Sequence, residues 1–465
     1  MPKIIGKLKI VLLDNRKYYS KKIPFKHRGT TMLRCFALGM ATLRCMGMSA
    51  QSQALTNGMN ALFRTADEHN TSINSYRTAL QKADADVLSA KAQRLPDVNA
   101  SLSFSYIGDG QLWNRKFGEY TKADMPHFGN NFSLEAQQIV YSGGALSGGI
   151  RMAEKGRDMT LIDGEENRRG VHLLLAGLFL QRHSLANQLD VVDRNIALVD
   201  TLIMRTRNRH DAGVVLKNDI TRYELMREQM ILRKTVLDDQ MNIVEKQMKT
   251  ALNNGDDIGS ILPAEAFEIS SLQCEDYWQT LATAENSSLK KAYTAADMSR
   301  IQQKITRSAL MPKIALVAEN HLNGPILIEV PPIDKNFNYW FVGIGVKYDI
   351  SSLYKGKKKV RSADVAAKFA EEQTQVAKEG IGDAVHAAYV ALLTVQAELR
   401  TREKSMELAR QNYDVIANRY NEGLALVTDM TDAANVRLDA ELQYENARIS
   451  VVSALYRLKY IAGDI

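Results

Sequence analysis

The sequence predicts a mainly α chain with a small β part: long coiled-coil helical hairpins plus four β-strands, laid out as an internal duplication. Three observations predict it. None of the nine prolines falls between Pro126 and Pro263, and none follows Pro332. An interior proline costs a helix roughly 3 kcal/mol, so these proline-free stretches read as long helices. A seven-residue apolar rhythm runs through the same stretches. Finally, an offset of 210 pairs Asn208, Arg209, Gly213, Leu216, Asp219 and Thr221 with Asn418, Arg419, Gly423, Leu426, Asp429 and Thr431. Six identities in fourteen ungapped positions mark a repeat. Pro96 and Pro312 match at 216, so the repeats differ only in loop length.

The chain has 465 residues, 45% of them hydrophobic, which excludes intrinsic disorder. Residues 1–50 read as a leader. They hold 11 Lys/Arg against one acid, Asp14, leaving 49 basic and 52 acidic residues for 51–465. The net charge of +7 therefore becomes −3 without the leader, and nucleic acid is not an expected partner. Met32-Leu-Arg opens a short apolar run, Cys35 to Leu43, and Gly47-Met-Ser-Ala50 supplies small residues before Gln51. A basic region, an apolar run and a small-residue end make a secretory signal peptide, with Met32 as the expected start. A buried core helix is the competing reading. Cys35 and Cys45 fall in the leader, so Cys274 is alone afterwards and no intrachain disulfide is expected. Arg34 and Arg44 precede those two cysteines, which disfavours lipidation. Past Ala50 no run of 18 apolar residues predicts a membrane helix.

The remainder divides into a first repeat, 51–253, an inter-repeat equatorial segment, 254–286, and a second repeat, 287–465. The first repeat opens with a helix carrying Ile73, Tyr76, Leu80, Ala83, Val87 and Ala90 at alternating steps of three and four. Strands follow at ~99–106 and ~130–141. In the first, Ala100, Leu102, Phe104 and Tyr106 alternate with serines; in the second, Phe132, Leu134 and Ala136 alternate with Ser133, Glu135 and Gln137. A helical hairpin with its tip at ~208–219 carries Leu185, Leu189, Val192, Ile196, Val199 and Ile203, then Leu237, Met241, Val244, Met248 and Ala251. A helix over 144–208 would run ~100 Å. The second repeat has a helix, strands at ~314–321 and ~340–350, and a hairpin with its tip at ~418–429. Val342, Ile344, Val346, Tyr348 and Ile350 alternate with Gly343, Gly345, Lys347 and Asp349. The heptads resume from Leu392 to Tyr420 and from Ala440 to Ile461. These stripes are core packing, not ligand sets.

The strand pattern fits a membrane strand with a wet lumen and equally a soluble sheet with one solvated face. Aromatics at strand ends and loops (Trp113, Phe117, Tyr120, Phe128, Phe337, Tyr339, Trp340) suit an interfacial girdle. Four strands cannot close a barrel, which needs about eight, and lipid tolerates no open edge. Membrane strands here would therefore require several chains to share one barrel.

With these elements in place, the sequence resembles the outer-membrane efflux protein family, the TolC-like channels, over residues ~55–463. The likeness rests on Leu95-Pro96-Asp97-Val98, Val140-Tyr141-Ser142-Gly143-Gly144, and the tips Arg209-His-Asp-Ala-Gly213-Val-Val-Leu-Lys-Asn-Asp219 and Arg419-Tyr-Asn-Glu-Gly423-Leu-Ala-Leu-Val-Thr-Asp429. The resemblance implies a homotrimer whose three sets of four strands close one β-barrel in the outer membrane, above a periplasmic α-barrel. It implies an exit duct that passes substrates passively from periplasm to exterior, in tripartite efflux or type I secretion. Its partners would be a periplasmic adaptor (membrane fusion) protein, an inner-membrane pump or ABC exporter, and outer-membrane lipid. A non-channel periplasmic coiled-coil interaction protein is the alternative.

No HExxH, nucleophile elbow or phosphate loop appears, and no two histidines form an i, i+4 ligand pair. No enzyme activity, cofactor or metal is expected. Pro96, Pro312, Gly143 and Gly144 mark helix–strand transitions. Gly213 and Gly423 suit the left-handed position that ends a helix. Asp219, Asp429 and Asp432 sit near the following helix start, where acids also simply compensate the helix dipole. Resemblance gives Asp429 and Asp432 a second role, as periplasmic gate acids, and likens Asp219 and Tyr420 to residues that latch the closed gate. Ala425 departs from the family pattern, standing where an arginine latch is found. Val214, Val215, Leu216, Leu424 and Leu426 either staple the tips or dock the adaptor.

Overall fold

The computed structural model describes residues 50–253, 273–329 and 332–465. The expected leader up to residue 49, the start at Met32 and residues 254–272 of the equatorial segment lie outside them. The elements are α1 (Ala50–His69), α2 (Thr71–Ala92), β1 (Asp97–Tyr106), β2 (Gly110–Trp113), β3 (Tyr120–Ala123), β4 (Phe128–Tyr141), α3 (Ala145–Asp211) and α4 (Lys217–Leu252). The second half adds α5 (Glu275–Glu285), α6 (Ser287–Ser308), β5 (Lys313–Gly324), β6 (Phe337–Lys347), α7 (Ser352–Asn421) and α8 (Val427–Ala462). Chain order duplicates: two helices, two sheet strands, then a long helical hairpin.

The proline-free stretches are the long helices. α3 has 67 residues and α7 has 70, each spanning ~100 Å at ~1.5 Å per residue. Their heptad positions face inward. Leu185, Val192, Val199 and Ile203 of α3 share one buried core with Leu237, Val244 and Met248 of α4 and with Leu438, Leu442 and Val452 of α8. A second cluster joins Trp278 and Ala282 of α5 to Val385 and Leu392 of α7 and Val451 and Leu458 of α8. Burying each such large side chain is worth about 1.5–3 kcal/mol.

Where one helix was expected to open the first repeat, there are two, and an asparagine explains the break. Asn70 accepts the N–H groups of Ser72 and Ile73 and so caps α2. Its amide also donates to the Ala251 carbonyl at the end of α4, at 2.6 Å. Asn286 repeats the device, accepting from Leu289 N–H and donating to the Ile461 carbonyl at 2.8 Å. The equatorial segment thus contains a helix of its own, α5, in the place that α1 holds in the first repeat.

The four long strands form one antiparallel sheet in the order β1–β4–β5–β6. The register sets Leu102 opposite Phe132 and Ala100 opposite Leu134. It continues Phe132 to Leu322, Ala136 to Ala318 and Gln138 to Leu316, then Leu316 to Ile344, Ala318 to Val342 and Ile314 to Val346. One face is therefore mainly apolar, interrupted by Asn130, Gln138, Asn320 and Asn338. The other carries Ser101, Ser133, Glu135, Glu319 and His321. The sheet is open, with β1 and β6 as its edges. Two details differ from expectation. Tyr348 and Ile350 lie past β6, because Asp349 takes the Ser351 N–H and hydroxyl at 3.0 and 2.7 Å and turns the chain toward α7. An extra hairpin, β2–β3, fills the β1–β4 connection, with the Trp113 and Tyr120 rings in tilted contact at 5.0 Å.

Candidate functional site: the paired hairpin tips

Both hairpin tips are built alike. α3 ends in a Schellman-type cap: Val214 N–H donates to the Arg209 carbonyl at 2.9 Å and Gly213 N–H to the His210 carbonyl at 2.8 Å. Gly213 has φ +75°. α7 ends the same way, with Leu424 N–H on the Arg419 carbonyl at 2.8 Å and Gly423 at φ +79°. Leu216 and Leu426 then cap α4 and α8 in extended conformation. Asp219 Oδ2 accepts the Leu216 N–H at 3.3 Å, and Asp429 Oδ2 the Leu426 N–H at 3.0 Å. These two acids therefore hold helix starts, whatever else they do. Asp432 is exposed, one turn further along α8, and borders a cleft of about 280 Å³ with Arg222 and Gln229 of α4.

The two tips meet. A cleft of about 360 Å³ is lined by Arg209, Val214, Leu216 and Asp219 from one side and by Tyr420, Gly423, Ala425 and Leu426 from the other. Tyr420 is buried, its hydroxyl 3.3 Å from Thr206 Oγ1. The Arg209 guanidinium lies 5.4 Å from the Tyr420 ring centre and donates to its carbonyl at 3.3 Å. Beneath them the buried Tyr223 hydroxyl is pushed well above its ordinary pKa, first by burial and then by Tyr420. Val214, Leu216, Leu424 and Leu426 are each more than 60% exposed, and Val215 is half-buried. The structure thus brings together Asp219, Tyr420, Gly213, Gly423 and the apolar tip residues. Asp429 and Asp432 stand on the exposed side of α8.

Arg209 was not singled out from the sequence, although its identity with Arg419 at the 210 offset marked it. It puts a cation against Tyr420 from the first repeat, while Ala425 in the second supplies none. Asn70 and Asn286 were likewise missed, although the 216 offset of Pro96 and Pro312 pairs them. At the other end, Pro96 and Pro312 each directly precede a sheet strand, and Gly143 and Gly144, at φ +63° and +91°, turn β4 into α3. Among the described residues no His/Cys/Asp/Glu group is placed to hold a metal, and no helix is long and apolar enough to cross a membrane.

Comparison with known proteins agrees with this architecture. Residues 278–464 match the family model described as outer membrane efflux protein. The outer membrane efflux protein BepC of Brucella suis is 20% identical over 425 residues, covering 90% of this chain and 87% of that one. The outer membrane protein VceC of Vibrio cholerae superposes with a TM-score of 0.71 at 15% identity, covering 89% of this chain and 98% of that one. The CmeC outer membrane channel of Campylobacter jejuni gives 0.71 at 14% identity, with 89% and 87% covered. These structural matches establish the fold. The family match covers most of the second repeat, and the chain as a whole shares its fold with these outer-membrane proteins.

Proposed function

We propose that three copies of this chain share one β-barrel and form a passive exit duct for an efflux machine. The observation that carries this reading is the open four-stranded sheet: one face is mainly apolar, and both edges lack a partner strand. In lipid such edges are intolerable, and pairing β6 of one copy with β1 of the next removes them. The inner face, with Ser101, Ser133, Glu135 and His321, would line a wet lumen. The helices continue the duct through the periplasm to the tips. There the exposed Val214, Leu216, Leu424 and Leu426 offer an apolar surface for the helical hairpin of a periplasmic adaptor, which links the duct to an inner-membrane pump or ABC exporter.

The tips are also where the duct would close. Asp429 and Asp432, repeated threefold, form a carboxylate ring that favours cations. Tyr420, through Arg209 and Thr206, ties each chain's two hairpins together at the tip, and Asp219 fixes the start of α4 beside them, so that these residues would latch the closed duct. Arg209 takes the part that Ala425 leaves vacant. The test is planar-bilayer recording of the full chain. Wild type should give cation-selective channels blocked by trivalent cations, and D429N/D432N should lose both properties. Channels with unchanged selectivity and block would place the gate elsewhere; no channels would refute the duct.

A further inference from the structure

A run of cations, Lys355-Gly-Lys-Lys-Lys-Val-Arg361, begins at the fourth residue of α7, just below the sheet. Lys355, Lys357, Lys358, Lys359 and Arg361 are all exposed. Among the described residues none of them forms an ion pair, and only Lys355 feels a nearby acid, Asp349, through space. Asp349, the one acid between Lys347 and Ala363, is occupied by Ser351. The next, Asp364, is held by Arg307 at 3.0 Å and Gln303 at 2.9 Å. Lys347 adds a further cation at the end of β6, directly across from Lys313 of β5, an unfavourable like-charge pair.

The fold does not require this charge. The 210 offset maps the run onto Ala145-Leu-Ser-Gly-Gly-Ile-Arg151, which starts α3 at the equivalent junction with one cation. Cations in a helix's first turns also oppose its dipole, so the run is kept at some cost to α7. Its placement is specific. Ser352 and Gly356 are buried, and the Gly356 backbone lies close against Leu310. Lys357, Lys358 and Arg361 occupy the opposite arc of the helix, with Lys355 and Lys359 exposed at its flanks. Beside them Ile350, Leu353 and Tyr354 are 69%, 48% and 64% exposed, and they continue along the chain the exposed apolar row of Ile344 and Val346. A cationic arc bordering an apolar, aromatic-containing edge is the pattern of a membrane–water interface.

We propose that this basic collar binds the headgroups of anionic phospholipids in the periplasmic leaflet of the outer membrane, fixing how deep the sheet sits. The proposal rests on the reading that the apolar sheet face lies in the bilayer. The full chain, delipidated in detergent, would be titrated with phosphatidylglycerol, phosphatidylethanolamine or inorganic phosphate and its bound lipid counted by native mass spectrometry. Insertion into vesicles of each lipid would be measured in parallel. Four lysines at the headgroup plane should favour phosphatidylglycerol by more than about tenfold, and salt should weaken the preference. K355Q/K357Q/K358Q/K359Q should abolish the preference, and the four-arginine counterpart should keep it. Insertion into both vesicle types without preference, or glutamine substitution without effect, overturns the proposal alone. Displacement of lipid by millimolar phosphate overturns it too, by showing a free-anion site. Failure to insert into either vesicle overturns the barrel reading and this proposal with it. Should the glutamine variant fail to fold, the lipid preference and salt dependence of wild type decide.

Discussion

Alanine at Gly213, Gly423 and Gly143 separates two costs that the structure assigns differently. All three have positive φ, at +75°, +79° and +63°, where an L-residue is penalised by about 1–2 kcal/mol. At Gly213 an added Cβ would meet nothing within 4 Å, and at Gly423 only Arg209 Nη2 at 3.9 Å. Those two variants should therefore pay the conformational cost alone, about 1–2 kcal/mol each. At Gly143 the same Cβ would come within 2.6 Å of Met311 Cβ and 2.9 Å of the Ser308 carbonyl oxygen, between α6 and β5. Overpacking adds about 1–3 kcal/mol, for a total near 2–5. Thermal melts of the detergent-solubilised protein would rank them, and amide exchange would locate the damage. G213A and G423A should loosen amides 213–216 and 423–426 and leave the sheet protected. G143A should expose β4 and β5 and lower the melting temperature most. A G143A variant as mild as G213A would refute the close approach of α6 to the β4–α3 turn.

Other outcomes follow from particular side chains. Burial holds His183 near a pKa of about 4, below the ordinary 6.5, and the neighbouring Arg182 pushes the same way. Its contribution is full above pH 6.5. As pH falls toward 4 the unfolded chain takes the proton first, so up to about 3 kcal/mol per chain is lost, and H183Q should flatten that part of the stability profile in unfolding titrations. Glu441 is buried with Arg410 at 2.9 Å and Arg437 at 3.5 Å, so E441A should cost about 3–5 kcal/mol of unfolding free energy and E441Q less. Ile344, 71% exposed on the apolar sheet face, should tolerate Arg badly, at ~2–4 kcal/mol near mid-bilayer. G345S, where a Cβ meets only ordinary contacts near Val317, should be mild, and equal tolerance in a folding assay would sink the lipid-facing assignment.

The helices and tips were legible because their signals are local. Heptad positions such as Leu392, Ala409, Tyr413 and Tyr420 repeat within one helix, and all four are buried. Gly213 and Gly423 answer to a backbone need that few residues meet. The sheet's alternation was equally readable, but which strand pairs with which depends on contacts across the two repeats, such as Phe132 with Leu322. Asn70 and Asn286 hid for a similar reason: each looks like an ordinary polar residue in a helical pattern until its amide is seen on the end of α4 or α8. The β2–β3 hairpin is four residues a side, too short for its pattern to rise above that of a loop. Arg209 acquires its place only when the two hairpin tips meet.

The account turns on several chains sharing one barrel, and native mass spectrometry of the protein extracted from outer membranes tests that most directly. It predicts that detergent is needed for release, and that an unheated particle of three times the mature-chain mass falls to single chains on heating. Release without detergent, as a single chain, would contradict it.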